Sequence, residues 1–140
     1  MKHKAYRLMD HTADLGMEVY GRDPWELYTN AAGALYDILV QGPVARNCEQ
    51  HSFKIGGADQ ADLMVNWLRE LLFLWNGRQQ IVQQVTIDAL SEIVLEATVM
   101  TVAYDPERHH ILREIKAVTY HRIAVAQLKS AWRAQIYFDV

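Results

Sequence analysis

The chain of 140 residues has a single cysteine, Cys48, so no internal disulfide can close and a zinc site built on several thiolates is excluded. A reducing compartment is expected. Its 3 prolines and 7 glycines are scattered, with no low-complexity stretch, no glycine fingerprint at a strand-to-helix junction and no Gly-Lys-Ser or Gly-Lys-Thr phosphate loop. No run approaches the roughly 20 apolar residues that a membrane span needs, and the opening MKHKAYRLMDHTAD breaks any apolar leader. The expectation is a cytoplasmic protein with no membrane partner. Positive charge is also short: 14 Lys and Arg face 17 Asp and Glu, a net charge of −3, which argues against strong independent nucleic-acid binding.

Present instead is a composition of 51% hydrophobic and 22% charged residues, which is that of a globular chain. This length buries about two thirds of the surface of the unfolded chain. One domain over residues 1–140 is expected, with two intertwined modules as the alternative, although no strong self-repeat is evident.

Local patterns give the elements. Ala5 to Met9 reads as a strand, followed by the polar Asp10-His11-Thr12-Ala13-Asp14 connection and a second strand through Tyr20. Asp23-Pro24-Trp25-Glu26 is a capping box with proline at the first helical position. Trp25, Tyr28, Ala32, Leu35 and Leu39 then form a buried helical face, and Gln41-Gly42-Pro43 stops it. His51 to Ile55 is a short strand. Asp59 starts a second helix whose stripe is Met64, Trp67, Leu68, Leu71, Leu72 and Trp75, ended by Asn76-Gly77. Gln80 to Leu90 and Glu92 to Tyr104 pair antiparallel, Ile111 to Val125 continues as extended chain, and Ala131 to Val140 alternates as a last strand. The fold class is α+β, with two main helices on mixed or antiparallel sheet.

Chemistry concentrates in a few places. Asp10 and Asp14 can attract a hard cation, with Thr12 and His11 in support, or serve as an ordinary polar turn. Asp139, followed by Val140, converges with Asp14 if the first and last strands meet, and is otherwise a solvated tail. His121 and Lys116 lie in one β-like stretch, as metal, carboxylate or partner contacts, or as structural and solvated groups. Cys48 lacks a redox or catalytic neighbour. His109 and His110 read first as a solvated turn and second as a metal ligand set, and Trp25 and Trp67 as core rather than nucleic-acid stacking platforms.

Taken together, Tyr6, His11-Thr12-Ala13-Asp14-Leu15-Gly16, Gly21, the helix from Asp23 to Leu39, Asp62-Leu63, Asn66 to Phe73, Asp105 to His109, Ile115 to His121 and Asp139-Val140 resemble the archease family. The resemblance implies an α+β fold in which a strand-helix-strand-strand module is inserted into another. It implies an accessory protein, not itself an enzyme, that activates the tRNA-splicing RNA ligase by promoting its guanylation and multiple turnover in tRNA splicing and RNA repair. By the same resemblance Asp14, Asp139 and Val140 hold a divalent metal, calcium, while Asp10, His11, Lys116 and His121 are partner or supporting residues. Val102-Ala103-Tyr104 departs from a Gly-Glu pair carried by many relatives, removing one nearby acid. Two other readings stay open: a metal-dependent hydrolase built on the acidic cluster, and a passive binding module.

Overall fold

The computed structural model describes residues 5–10 (backbone alone at residue 10), 14–45 and 47–140. In chain order its elements are Tyr6–Asp10 (β1), Asp14–Gly21 (β2), Pro24–Leu39 (α1), Val40–Gln41 (β3), Glu49–Gly56 (β4), Gln60–Arg78 (α2), Gln80–Leu90 (β5), Val94–Ala103 (β6), His110–Ile111 (β7), Ala117–Val118 (β8), Ala124–Gln127 (β9) and Trp132–Asp139 (β10).

Both helices begin in the same way. The pattern Gly-x-Asp-x-x-acid-Leu-x-x-Asn runs from Gly21 to Asn30 and again from Gly57 to Asn66. At each copy the Asp side chain accepts the amide three residues on, Glu26 N–H to Asp23 and Asp62 N–H to Asp59, both at 2.8 Å. The acid then reaches back past the cap. Glu26 accepts the Arg22 amide at 3.1 Å and Asp62 the Ala58 amide at 2.8 Å, so the reciprocal bond expected at Asp23 falls one residue earlier. Asn30 and Asn66 close each copy by donating to the strand carbonyls of Tyr20 and Gly56. The glycines are required because a Cβ at either would lie 2.5 Å from the amide nitrogen of Leu27 or Leu63.

The strands are antiparallel throughout. One sheet runs β1-β2-β10-β8, with β9 also on β10; a second runs β4-β6-β5; β3 and β7 form a short ribbon. Thus β4-α2-β5-β6 is the inserted strand-helix-strand-strand unit, and the β3–β7 ribbon closes its neck. Leu15, Met17 and Val19 alternate inward on β2 and Ala134, Ile136 and Phe138 on β10, against helices that touch both sheets. The stripe of α2 is buried as expected. Trp67 is fully enclosed and donates its indole N–H to the Tyr28 carbonyl at 3.0 Å, while the Tyr36 hydroxyl donates to the Leu71 carbonyl at 2.6 Å.

Four expectations are corrected. Trp25, in the first turn of α1, is 44% exposed, while Tyr28, Ala32, Leu35 and Leu39 are buried as expected, together with Leu27, Ala31, Ala34 and Ile38. Asn76-Gly77 does not end α2, which runs to Arg78; the left-handed stop residue is Gln79, φ 52°, whose amide donates to Leu74 and Trp75 carbonyls. The stretch from Ile111 to Val125 is not one strand. It is cut into β7, β8 and β9, since side chains of α2 take the carbonyls of Ile115 and Val118 and Arg122 turns with φ 51°. Finally, His109 is buried rather than solvated, although His110 is exposed.

Candidate functional site: an acidic sheet end

Antiparallel register carries the start of the second strand and the end of the last to one end of the larger sheet. Along β2 and β10 the Cα partners run from Trp132 with Gly21 to Asp139 with Asp14, so these two acids stand directly opposite each other. Side chains opposite one another across antiparallel strands project to the same face, and like charges so placed repel. Neither carboxylate has an ion pair among the described residues. Asp139 is also the register partner of Ala117 on β8, and its carbonyl accepts the Lys116 amide at 2.8 Å. Asp14, Asp139 and the Lys116 main chain are thereby brought to one place, with Val140, 44% exposed, just beyond.

His121 lies a little further along the same sheet. Its ring meets that of Tyr137 edge-on at 5.6 Å between centroids, and Tyr137 precedes Asp139 by two positions on β10. The Tyr137 ring packs over Gly16, where a Cβ would approach it to 2.8 Å. Asp10 ends β1 as the register partner of Leu15. Its side chain, with His11 and Thr12, lies outside the described residues. Cys48 is half-buried, its thiol 3.5 Å from the Ala45 carbonyl.

Residues of α2 to which the sequence reading gave no site role hold the chain on either side of Lys116. Asp62, Arg69 and Asn76 recur every seventh residue, hence on one face of the helix. Asn76 donates to the Ile115 carbonyl at 2.9 Å, and Arg69 donates through Nε and a terminal nitrogen to the Val118 carbonyl at 3.3 and 3.2 Å. Asp62 accepts the Tyr120 hydroxyl at 2.7 Å, under an Arg69 guanidinium 4.7 Å from the Tyr120 ring centre. The Ala58 amide and then the Tyr120 hydroxyl hold the Asp62 carboxyl below its ordinary range, while Asp62 pushes the Tyr120 phenol up. These three polar residues at seven-residue spacing stand beside the apolar stripe in the sequence. What they bind was not legible there.

The donor set suits a hard cation in kind, offering two carboxylates and main-chain oxygens and no soft ligand. Among the described residues no group of three or more His, Cys, Asp or Glu side chains gathers into a metal cage. None of their helices is long and apolar enough to cross a membrane.

An antiparallel α+β protein with a four-element insertion and paired acids at the edge of its closing strands is the class that these features define. Residues 6–140 match the Archease protein family (MTH1598/TM1083), and the chain belongs to that family. It is 30% identical over 141 residues to the protein archease of Pyrococcus abyssi, covering 98% of this chain and 99% of that one. It is 28% identical over 141 residues to the protein archease of Methanosarcina mazei, covering 98% and 97%. Among solved structures, protein 1598 of Methanobacterium thermoautotrophicum superposes with a TM-score of 0.78 at 27% identity, covering 99% of this chain and all of that one. A Thermotoga maritima protein described as an archease and possible chaperone shares the fold, with a TM-score of 0.62 at 18% identity and 94% of each chain covered.

Proposed function

We propose that this archease is an accessory protein, not an enzyme in its own right, that activates the tRNA-splicing RNA ligase by promoting ligase guanylation and turnover. The observation that carries the reading is the register pairing of Asp14 with Asp139, beside a Lys116 backbone fixed by α2. An exposed end carrying two facing acids is suited to entering a cationic, phosphate-handling centre of a larger enzyme. Guanylation is a phosphoryl transfer, whose rate depends on alignment and on compensation of developing charge. Asp14 and Asp139 would orient groups of the ligase site, and the Lys116 ammonium, exposed beside them, would contact a phosphate or carboxylate there.

Calcium, held by Asp14, Asp139 and oxygens of Val140, fits the hard donors and would relieve the repulsion between the facing acids. When bound it would supply fixed positive charge. Asp10, His11 and His121 are the partner or supporting candidates of this reading. One reaction pair tests it: ligase guanylation and multiple-turnover RNA joining, with and without the protein. Wild type should raise both rates, and Asp14→Ala and Asp139→Ala should each lose most of the stimulation while remaining folded. Full stimulation by both variants would reject the acidic end as the working surface. Turnover of a phosphoester by the protein without ligase would return the hydrolase reading, and ligase binding without faster guanylation the passive one.

A further inference from the structure

A second feature lies in the turn after β6, which the reading above leaves unused. The Asp105-Pro106-Glu107-Arg108-His109 turn binds itself: the Asp105 carbonyl accepts the amides of Arg108 and His109 at 3.0 and 2.8 Å, and its Oδ1 accepts the Glu107 amide at 2.9 Å. The Asp105 amide in turn donates to His109 Nδ1 at 2.9 Å. A nitrogen that accepts an N–H carries no proton, so the neutral ring bears its hydrogen on Nε2. His109 is only 7% exposed, packed so closely on Gly42 that a Cβ there would overlap ring carbon Cδ2. Yet Nε2 makes no hydrogen bond among the described residues, and it is not among their enclosed polar atoms without a partner. It keeps access to solvent.

His109 lines a cleft of about 510 Å³, the size of a small-molecule site, and also a smaller one of about 190 Å³ beside Gly42. The polar lining of the larger cleft includes His109, Arg108, Asn47 and Asp105, and its apolar lining Val44, Ala45 and Val102. The apolar loop is pinned from below, since Gln83, set in a bulge of β5, accepts the Ala45 amide at 2.9 Å. We propose that this cleft binds a small organic molecule with a terminal oxyanion, phosphate or carboxylate, received by the His109 Nε2–H and the Arg108 guanidinium. Two donors of this kind fit an acceptor-only group, and a buried N–H donor fixed in tautomer favours one that is already ionised. Asp105 lines the same cleft, so the uncharged remainder of the ligand, or a hydroxyl on it, lies toward that carboxylate and the apolar loop. The site shares no lining residue with the acidic sheet end and stands independently of the ligase reading.

The test is titration of the full chain, followed by proton–nitrogen NMR, with inorganic phosphate, phenyl phosphate and benzoate. The free protein should show His109 protonated on Nε2. Phenyl phosphate or benzoate should then give saturable shifts at Ala45, Asn47, Val102 and the His109 ring, and the better of the two identifies which oxyanion the site takes. Binding of that probe should exceed inorganic phosphate by about ten-fold or more through the apolar side, and should fall by about ten-fold or more in Arg108→Ala. Arg108 is exposed, so the variant's spectrum should otherwise match wild type. A His109 proton on Nδ1, absence of saturable shifts with all three probes, organic probes no tighter than inorganic phosphate, or equal binding by Arg108→Ala would each overturn the proposal.

Discussion

Glu18 is an acid on the outward face of β2 and yet only 7% exposed, so its charge must be met locally. The Tyr20 hydroxyl donates to it at 2.6 Å and Arg7 at 2.9 Å. The Tyr20 bond, opposed by burial and aided by Arg7, holds the carboxyl below its ordinary range. A carboxyl whose folded pKa is depressed contributes stability that is fully present above its unfolded pKa and is lost as pH falls through the folded one. Urea unfolding should therefore show wild type weakening below the ordinary glutamate range, with a flatter acid limb in Glu18→Gln; identical limbs would assign the acid response to other carboxyls. Residues of this kind are hard to read in advance, since Glu18 occupies a normal polar position in an alternating strand and only the neighbouring strand supplies Arg7. By contrast the meeting of Asp14 with Asp139 was legible as a condition on the strands, because alternation fixed their faces. Register then satisfied it.

At the scale of elements, the two helices were legible because caps and stripes are local: Asp23 and Asp59 accept the amides that their spacing called for. The duplicated Gly-to-Asn pattern escaped notice because its fixed positions are few and its other positions vary, as with Tyr28 and Met64 at matching, fully buried sites. Strand boundaries between Ile111 and Val125 were not legible, since they are set by Arg69 and Asn76 on a distant helix. A pair of glycines tests the strand-to-helix junctions. Gly57→Ala sets a Cβ against backbone atoms of Leu63 at 2.5 and 2.7 Å and should cost about 1–3 kcal/mol in urea unfolding. Gly33→Ala, on α1 with nothing within 4 Å of the added carbon, should instead gain about 0.5–1 kcal/mol. Equal effects would mean that the junctions relax freely.

Across the whole molecule, one continuous cluster of buried side chains includes residues of the inserted unit and of the larger sheet. Polar seams cross it as well: the Trp67 indole on the Tyr28 carbonyl and the Tyr36 hydroxyl on the Leu71 carbonyl tie α1 to α2. The two parts should unfold together. Far-ultraviolet circular dichroism and tryptophan fluorescence should give coincident denaturation curves, and Tyr36→Phe should shift both by about 1 kcal/mol without separating them. Curves that part company would show two independent units.

The position of β10 bears on how such a chain is made. It is the latest strand in the sequence, yet it lies between β2 and both β8 and β9 in the finished sheet. During synthesis β2 must therefore wait, unpaired on that side, until β10 has left the ribosome. Loss of β10 would remove the keystone rather than a fringe, and a nascent chain stalled before it would display the bare flank of β2 to whatever chaperone or neighbouring chain arrived first.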